Sequence, residues 1–487
     1  MPVSNQVRNQ HLLWRAGFGP SAESIHELAN ASQVEIFKRL LKFSSKNPEY
    51  IDVAHNAFDG LFKGLQDAGR IENLSKEQKQ ALRKQSREGI RNLNISWIEE
   101  MVNGQAQFLE KMAFFWHGHF ACRNFNMYFQ QGLLDIIRKN ALGNFGELLR
   151  QVSKSAAMLA FLNNQQNRKQ HPNENFAREV MELFTMGRGN YTEEDIREAA
   201  RAFTGWGFTI GGEFFFRKQF HDNGIKTVLG RSGNFDGDDI LGILLEHRQT
   251  ARFIAGKIYR YFVNEEADEA NLNWISDRFY NSNYDVRELM KDIFTSDWFY
   301  DPRNIGTRIK SPVELLVGMR RILSMELANE EMQLMFQKVL GQILFYPPNV
   351  AGWPGGKNWI DGSSLMVRLR IPGLISENDE FNLKPKTDDD QQMGQMMKEQ
   401  NDPELSITRA SNTGSQRIEA TLEWDVYLQN FSGVEKKDLI RSIAGVLFQK
   451  TEVEEGIIMK YADLNDREAF IKTATIKMMS MPEYQLC

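Results

Sequence analysis

Four stretches hold the residues that could do chemistry. The first is Phe115-Trp116-His117-Gly118-His119-Phe120. His-x-His spacing suits a divalent ion on an extended backbone, where both side chains share a face. On a helix the same pair diverges by about 200°. The preceding Phe108, Met112 and Phe115 have helical spacing, and Gly118 weakens a continuing helix, so a helix end could let the imidazoles converge. The plain structural alternative is two histidines bonded to backbone carbonyls.

The second stretch runs from His171 to Phe184. On a helical wheel Asn175, Glu179, Glu182 and Met186 share a face beside the apolar Phe176, Val180, Leu183 and Phe184. A carboxylate at that border must be paired, protonated or bound to metal. Glu179 paired with Arg197 or Arg201 on an amphipathic helix is the bland reading. The third stretch, Phe220-His221-Asp222-Asn223-Gly224-Ile225-Lys226, sets an imidazole beside a carboxylate before a glycine turn, with a lysine that could hold an anion. An Asx turn with a surface histidine needs only the same residues. The fourth, Phe345 to Gly356, is fixed by Pro347, Pro348 and Pro354, and it offers Asn349 and Trp353 to a pocket or serves as architecture.

Together these residues allow three functions. A metal-dependent enzyme, hydrolytic or oxidative, would hold zinc, iron or manganese with His117, His119, Glu179 and His221. Glu182 and Asp222 would act as acid, base or orienting groups, and Arg178, Lys226 and Trp353 would meet substrate. A non-catalytic binding or assembly protein would use an aromatic-lined cavity for a small molecule, a glycan or a segment of a partner, such as the product of a neighbouring gene. Non-covalent haem binding would use His117 or His119. No Gly-x-Ser-x-Gly elbow, Walker A loop, Gly-x-Gly-x-x-Gly turn or His-Glu-x-x-His is present. Cys122 reads as a buried structural thiol.

The elements that must position these residues are helices. Apolar residues recur at helical spacing over 107–116, 175–186, 193–206, 239–245, 250–262, 285–294 and 468–479. Thr192 with Asp195 resembles a capping box, and Gly187-Arg188-Gly189-Asn190 stops the helix before it. Alternation is clearest over 213–220, after Gly211-Gly212, and predicts a hairpin. The expected fold is therefore mainly α, a large multi-helix assembly with one or two small β-hairpins. Residues 1–383 read as the main body, with a charged helical insertion over 66–94. Residues 384–416 read as a disordered linker, and 417–487 as a helical segment packing on the body.

A net charge of −5, with acid and base interleaved, argues against nucleic acid as a partner. No apolar run approaches the roughly 18 residues that cross a bilayer. Cys122 and Cys487 make no disulfide framework, and no leader is visible, so the cytoplasm is the expected compartment.

The ordered blocks resemble a bacterial family known as domain of unknown function number eighteen hundred. They are His11 to Gly19, Phe115 to Phe120, Asn173 to Gly187, Tyr191 to Trp206, His221 to Gly230, Thr250 to Val263, Lys310 to Leu315 and Gln342 to Trp359. The sequence departs from that pattern at Glu246-His247-Arg248, where the family usually has His-Pro. The resemblance implies no settled activity. It does imply that the candidate residues lie in shared blocks rather than insertions, and that export to the periplasm is open, since many relatives resemble exported proteins.

Overall fold

In the computed structural model, residues 3–53, 76–209, 211–381, 416–450 and 453–487 are described. The chain divides into two compact units, each assembled from separated stretches. One comprises Val34–Phe299 and Phe345–Trp353. The other comprises Met1–Gln33, Tyr300–Leu344 and Pro354–Cys487. This partition groups residues 417–487 with the N-terminal helix and Tyr300–Leu344. The expected linker lies outside the described residues but for its last residue, Gln416. Of the charged insertion, residues 76–94 fall in one helix, Lys76–Asn103, and the part before it is outside the described residues.

Helices dominate both units, and the strands form short antiparallel pairs. The fold is thus mainly α with small β-hairpins. Trp206–Phe208 pairs with Phe214–Phe216, so only the second strand falls in the alternating stretch 213–220, whose end, Lys218–Phe220, is a 3-10 turn. Lys226–Val228 pairs with Arg231–Gly233. No described helix is long and apolar enough to cross a membrane.

Local sequence explains where the helices begin and end. Thr192 Oγ1 accepts from the Asp195 amide at 3.1 Å, and Asp195 accepts the Thr192 amide at 2.8 Å. This reciprocal cap starts helix Glu193–Ala202. Helix Pro312–Ile322 has the same device in Ser311 and Glu314, with proline at its first turn. Glu314 also pairs with Arg308 at 2.8 and 2.9 Å, both buried, so the Lys310 to Leu315 block is a structural motif of its unit.

The larger unit is packed around aromatic rings on helix Gln107–His119. Trp116 and Phe120 pack with Phe145, and Phe108 meets Phe37 and Phe294. Fully buried aromatic side chains of this size supply much of the hydrophobic driving force. A buried ion pair crosses this core. Glu110 accepts from Arg138 at 2.6, 3.0 and 3.1 Å and from Trp97 Nε1 at 2.8 Å.

Candidate functional site

His117 and His119 both belong to helix Gln107–His119, because Gly118 does not end it. Two positions apart on a helix, their rings take different partners. His117 Nε2 accepts the Phe345 amide at 3.2 Å, and its ring packs against Trp97, Phe345 and Trp353. Phe345 has φ of 68°, a left-handed conformation that costs a bulky residue energy. The His117 hydrogen bond and the ring contacts hold it there. Gly352, at φ 83°, completes the approach of this loop, since a Cβ there would lie 2.5 Å from the Gly118 carbonyl. Burial pushes the His117 pKa down to about 3, so the ring is neutral.

His119 faces the other way. Its ring is enclosed by Phe115, Trp116, Phe120, Phe145 and Phe184. Lys257 Nζ lies 3.1 Å from His119 Nδ1 and 3.1 Å from the Leu183 carbonyl. An ammonium only donates, so Nδ1 accepts and the neutral ring carries its proton on Nε2. Burial, then the Lys257 charge, holds His119 well below the usual histidine range, opposed by the Phe184 backbone.

The Leu183 carbonyl is available because of a local irregularity. Helix Glu174–Glu179 runs into a π-helical segment, Val180–Thr185. The Met186 amide bonds back five residues to Met181 at 2.9 Å, and Thr185 Oγ1 bonds to Val180 at 2.7 Å. Such segments frequently mark functional sites. Gly187, at φ 77°, then ends the helix, and a Cβ there would meet the Phe253 ring at 2.8 Å. Phe253 is one turn before Lys257 on helix Arg248–Phe262, and Lys257 Nζ sits 4.9 Å from its ring centre. Burial lowers the Lys257 pKa to about 8.

The remaining candidates have separate partners. Glu182 accepts from Tyr191 at 2.7 Å and from Arg188. Glu179 is half-buried, and burial followed by the Glu182 charge raises its pKa. Neither Arg197 nor Arg201 pairs with it: Arg197 bonds Glu194, and Arg201 bonds Glu198 and Asp222. Arg178 bridges Glu174 at 3.1 Å and Glu193 at 2.7 Å. Asp222 accepts from Arg201 at 2.8 Å and from the Gly224 amide at 2.8 Å, the Asx turn that the sequence also allowed. His221 is buried with Nδ1 3.0 Å from the Thr204 carbonyl. Lys226 is fully buried and donates to the carbonyls of Asp222 and Gly224, so it stitches its turn together.

A family model matches residues 11–486, nearly the whole chain. The chain belongs to the family described as protein of unknown function DUF1800. Comparison with curated proteins and with solved structures finds no match.

In this DUF1800 chain the residues expected to share a metal are dispersed. His117 meets the Phe345 loop, His119 meets Lys257, and His221 meets Thr204. Among the described residues, no group of three or more His, Cys, Asp and Glu is placed to hold an ion. Their partners differ, so among the described residues His117, His119 and His221 do not converge on one ion. Trp353, offered by the sequence to a pocket, packs its ring against His117 at 5.6 Å between ring centres. Cys122 is buried, and burial pushes its thiol far above the usual range, in keeping with an inert structural role.

Lys257 is the group that the sequence reading passed over. It lies in the Thr250 to Val263 block, but its partners are 74 and 138 residues away. The available signal was a lysine one helical turn after Phe253, beside the buried stripe of Ala251, Ile254, Ala255 and Ile258.

Proposed function

We propose that this chain is a binding protein whose ligand-facing group is the Lys257 amine, and that the ligand is a small carboxylate-bearing molecule. The observation that carries this reading is a largely buried ammonium without a counter-charge. Among the described residues Lys257 donates to a neutral imidazole and a carbonyl, lies over the Phe253 ring, pairs with no carboxylate, and has a third N–H with no hydrogen-bond acceptor. A ligand carboxylate would accept that N–H in a charge-assisted bond and compensate the buried charge. Lys257 is partly exposed, and the π-helical carbonyl and His119 would orient the amine.

Calorimetric titration with acetate, succinate and citrate tests the reading. At least one should bind at pH 6.5, and Lys257→Met should weaken it tenfold or more. The pH sign follows from the lowered pKa. The amine is charged below about 8, so affinity should fall as pH rises beyond that. Absence of binding at millimolar concentration, or binding unchanged by Lys257→Met, refutes it.

The dispersed donors give a second expectation. Protein purified without added metal should contain zinc, iron and manganese well below one equivalent, before and after His119→Ala. A stoichiometric metal lost on His119→Ala would restore the metal-enzyme reading.

A further inference from the structure

A different surface of the larger unit carries positive charge with no ion-pair partner among the described residues. The turn 168–171 presents Arg168, Lys169 and His171, all exposed. Residues 215–220 present Phe215, which is 40% exposed, and Lys218, with Arg217 and Phe220 half-buried beside them. The two stretches are joined by the Lys169 amide, which donates to the Phe220 carbonyl at 2.9 Å.

The arrangement is built around one ring. The guanidinium carbons of Arg168 and Arg217 lie 4.5 and 5.4 Å from the Phe220 ring centre. Arg217 is anchored by donating to the carbonyls of Gln165 and Trp206, the latter at 2.9 Å. Cation–π contact holds two like charges against the same ring. Neither arginine, nor Lys169, nor Lys218, has an ion-pair partner among the described residues. Glu213, on the same hairpin, pairs with none of them. Several other surface arginines of this unit are paired, as Arg178, Arg201, Arg252 and Arg278 are. What sets this group apart is that four cations gather on two joined stretches, two of them against one ring, on a chain whose net charge is −5.

We propose that this face is a docking site for an acidic peptide segment of a partner protein. Arginine presents a planar fork that matches carboxylates, and clustered arginines are a recurring means of reading acidic motifs. Four cations span only a short stretch of a partner's carboxylates. A long polyanion would meet the net negative charge of the rest of the chain. Phe215 gives an apolar side chain of that segment a surface beside the charges. The proposal is independent of the Lys257 reading, because it uses other residues and a different ligand.

Fluorescence anisotropy with a labelled hexaglutamate peptide tests it, with a single-stranded oligonucleotide of equal charge as the comparison. Hexaglutamate should bind at low ionic strength, weaken as salt rises, and lose tenfold or more in affinity in Lys169→Glu/Lys218→Glu. Those two side chains are exposed and unpaired, so this variant should keep the wild-type unfolding midpoint. Arg168→Glu should lose a similar factor, and Lys257→Met should lose none. Failure of hexaglutamate to bind, binding untouched by the double variant, or tighter binding of the oligonucleotide would each overturn the proposal.

Discussion

On moving from pH 7 to pH 4, the unit containing His117 should lose about 3 kcal/mol of stability from that one side chain. The His117 ring is buried among Trp97, Phe345 and Trp353, and its Nε2 accepts the Phe345 amide. Protonation would put a charge in that apolar setting and remove the acceptor, so burial lowers the folded-state pKa from 6.5 to about 3. Below pH 6.5 the unfolded chain takes up a proton that the folded chain refuses. Stability is therefore fully present above about 6.5 and is lost as pH falls toward 3. His119, lowered in the same direction, adds to the loss. Urea unfolding at pH 7.5, 6, 5 and 4 measures it. His117→Gln keeps an acceptor for the Phe345 amide, so it should lower stability at pH 7.5 and remove the His117 share of the slope between pH 6.5 and 4, leaving the share of His119. An unchanged slope in that variant would show that His117 is not the group responsible.

The second large effect lies at Glu110. Replacing it with alanine should destabilise the unit by roughly 3–5 kcal/mol, because Arg138 is left buried and charged. Three hydrogen bonds from Arg138 and one from Trp97 would vanish together. The Glu49 carbonyl, at 2.6 Å, and Glu100, at 3.9 Å, would remain beside the guanidinium without replacing its buried partner. Trp97 also packs edge-on against His117, at 5.1 Å between ring centres, so the loss should reach the candidate site. Glu110→Ala/Arg138→Met removes both charges and should be more stable than the single variant. Equilibrium unfolding of the two variants decides it, and a double variant weaker than the single one would contradict the account.

Much of the fold was legible because helix signals are local. The Thr192–Asp195 cap, the stop at Gly187 and the hairpin near Phe214 each rest on residues within a few positions of one another. The interleaved units were not legible, since nothing local tells Tyr300–Leu344 to join Met1–Gln33. The candidate site shows the same division. The sequence picked out the Phe115 to Phe120 block and the Glu179 helix, and these elements do meet near His119. It misjudged how the imidazoles would point, because Gly118 was weighed as a helix breaker while tertiary packing kept the helix intact to His119. It also treated Lys226 as available for an anion, although that lysine is buried under its own turn. Lys257 stayed hidden because a lysine on an amphipathic helix ordinarily reads as solvated. Only the π-helical turn and His119, far away in sequence, give it another environment.

The claim on which the functional reading depends is that Lys257 is a charge-carrying amine waiting for a carboxylate. Trace acetylation of the intact protein across pH 6 to 11, with mass spectrometry of the peptide containing Lys257, measures that amine directly. The account predicts that Lys257 titrates near 8 in the free protein, and that saturating the carboxylate found by calorimetry moves it upward and slows its labelling. An amine that titrates like the exposed lysines, with labelling indifferent to every carboxylate tested, would contradict it.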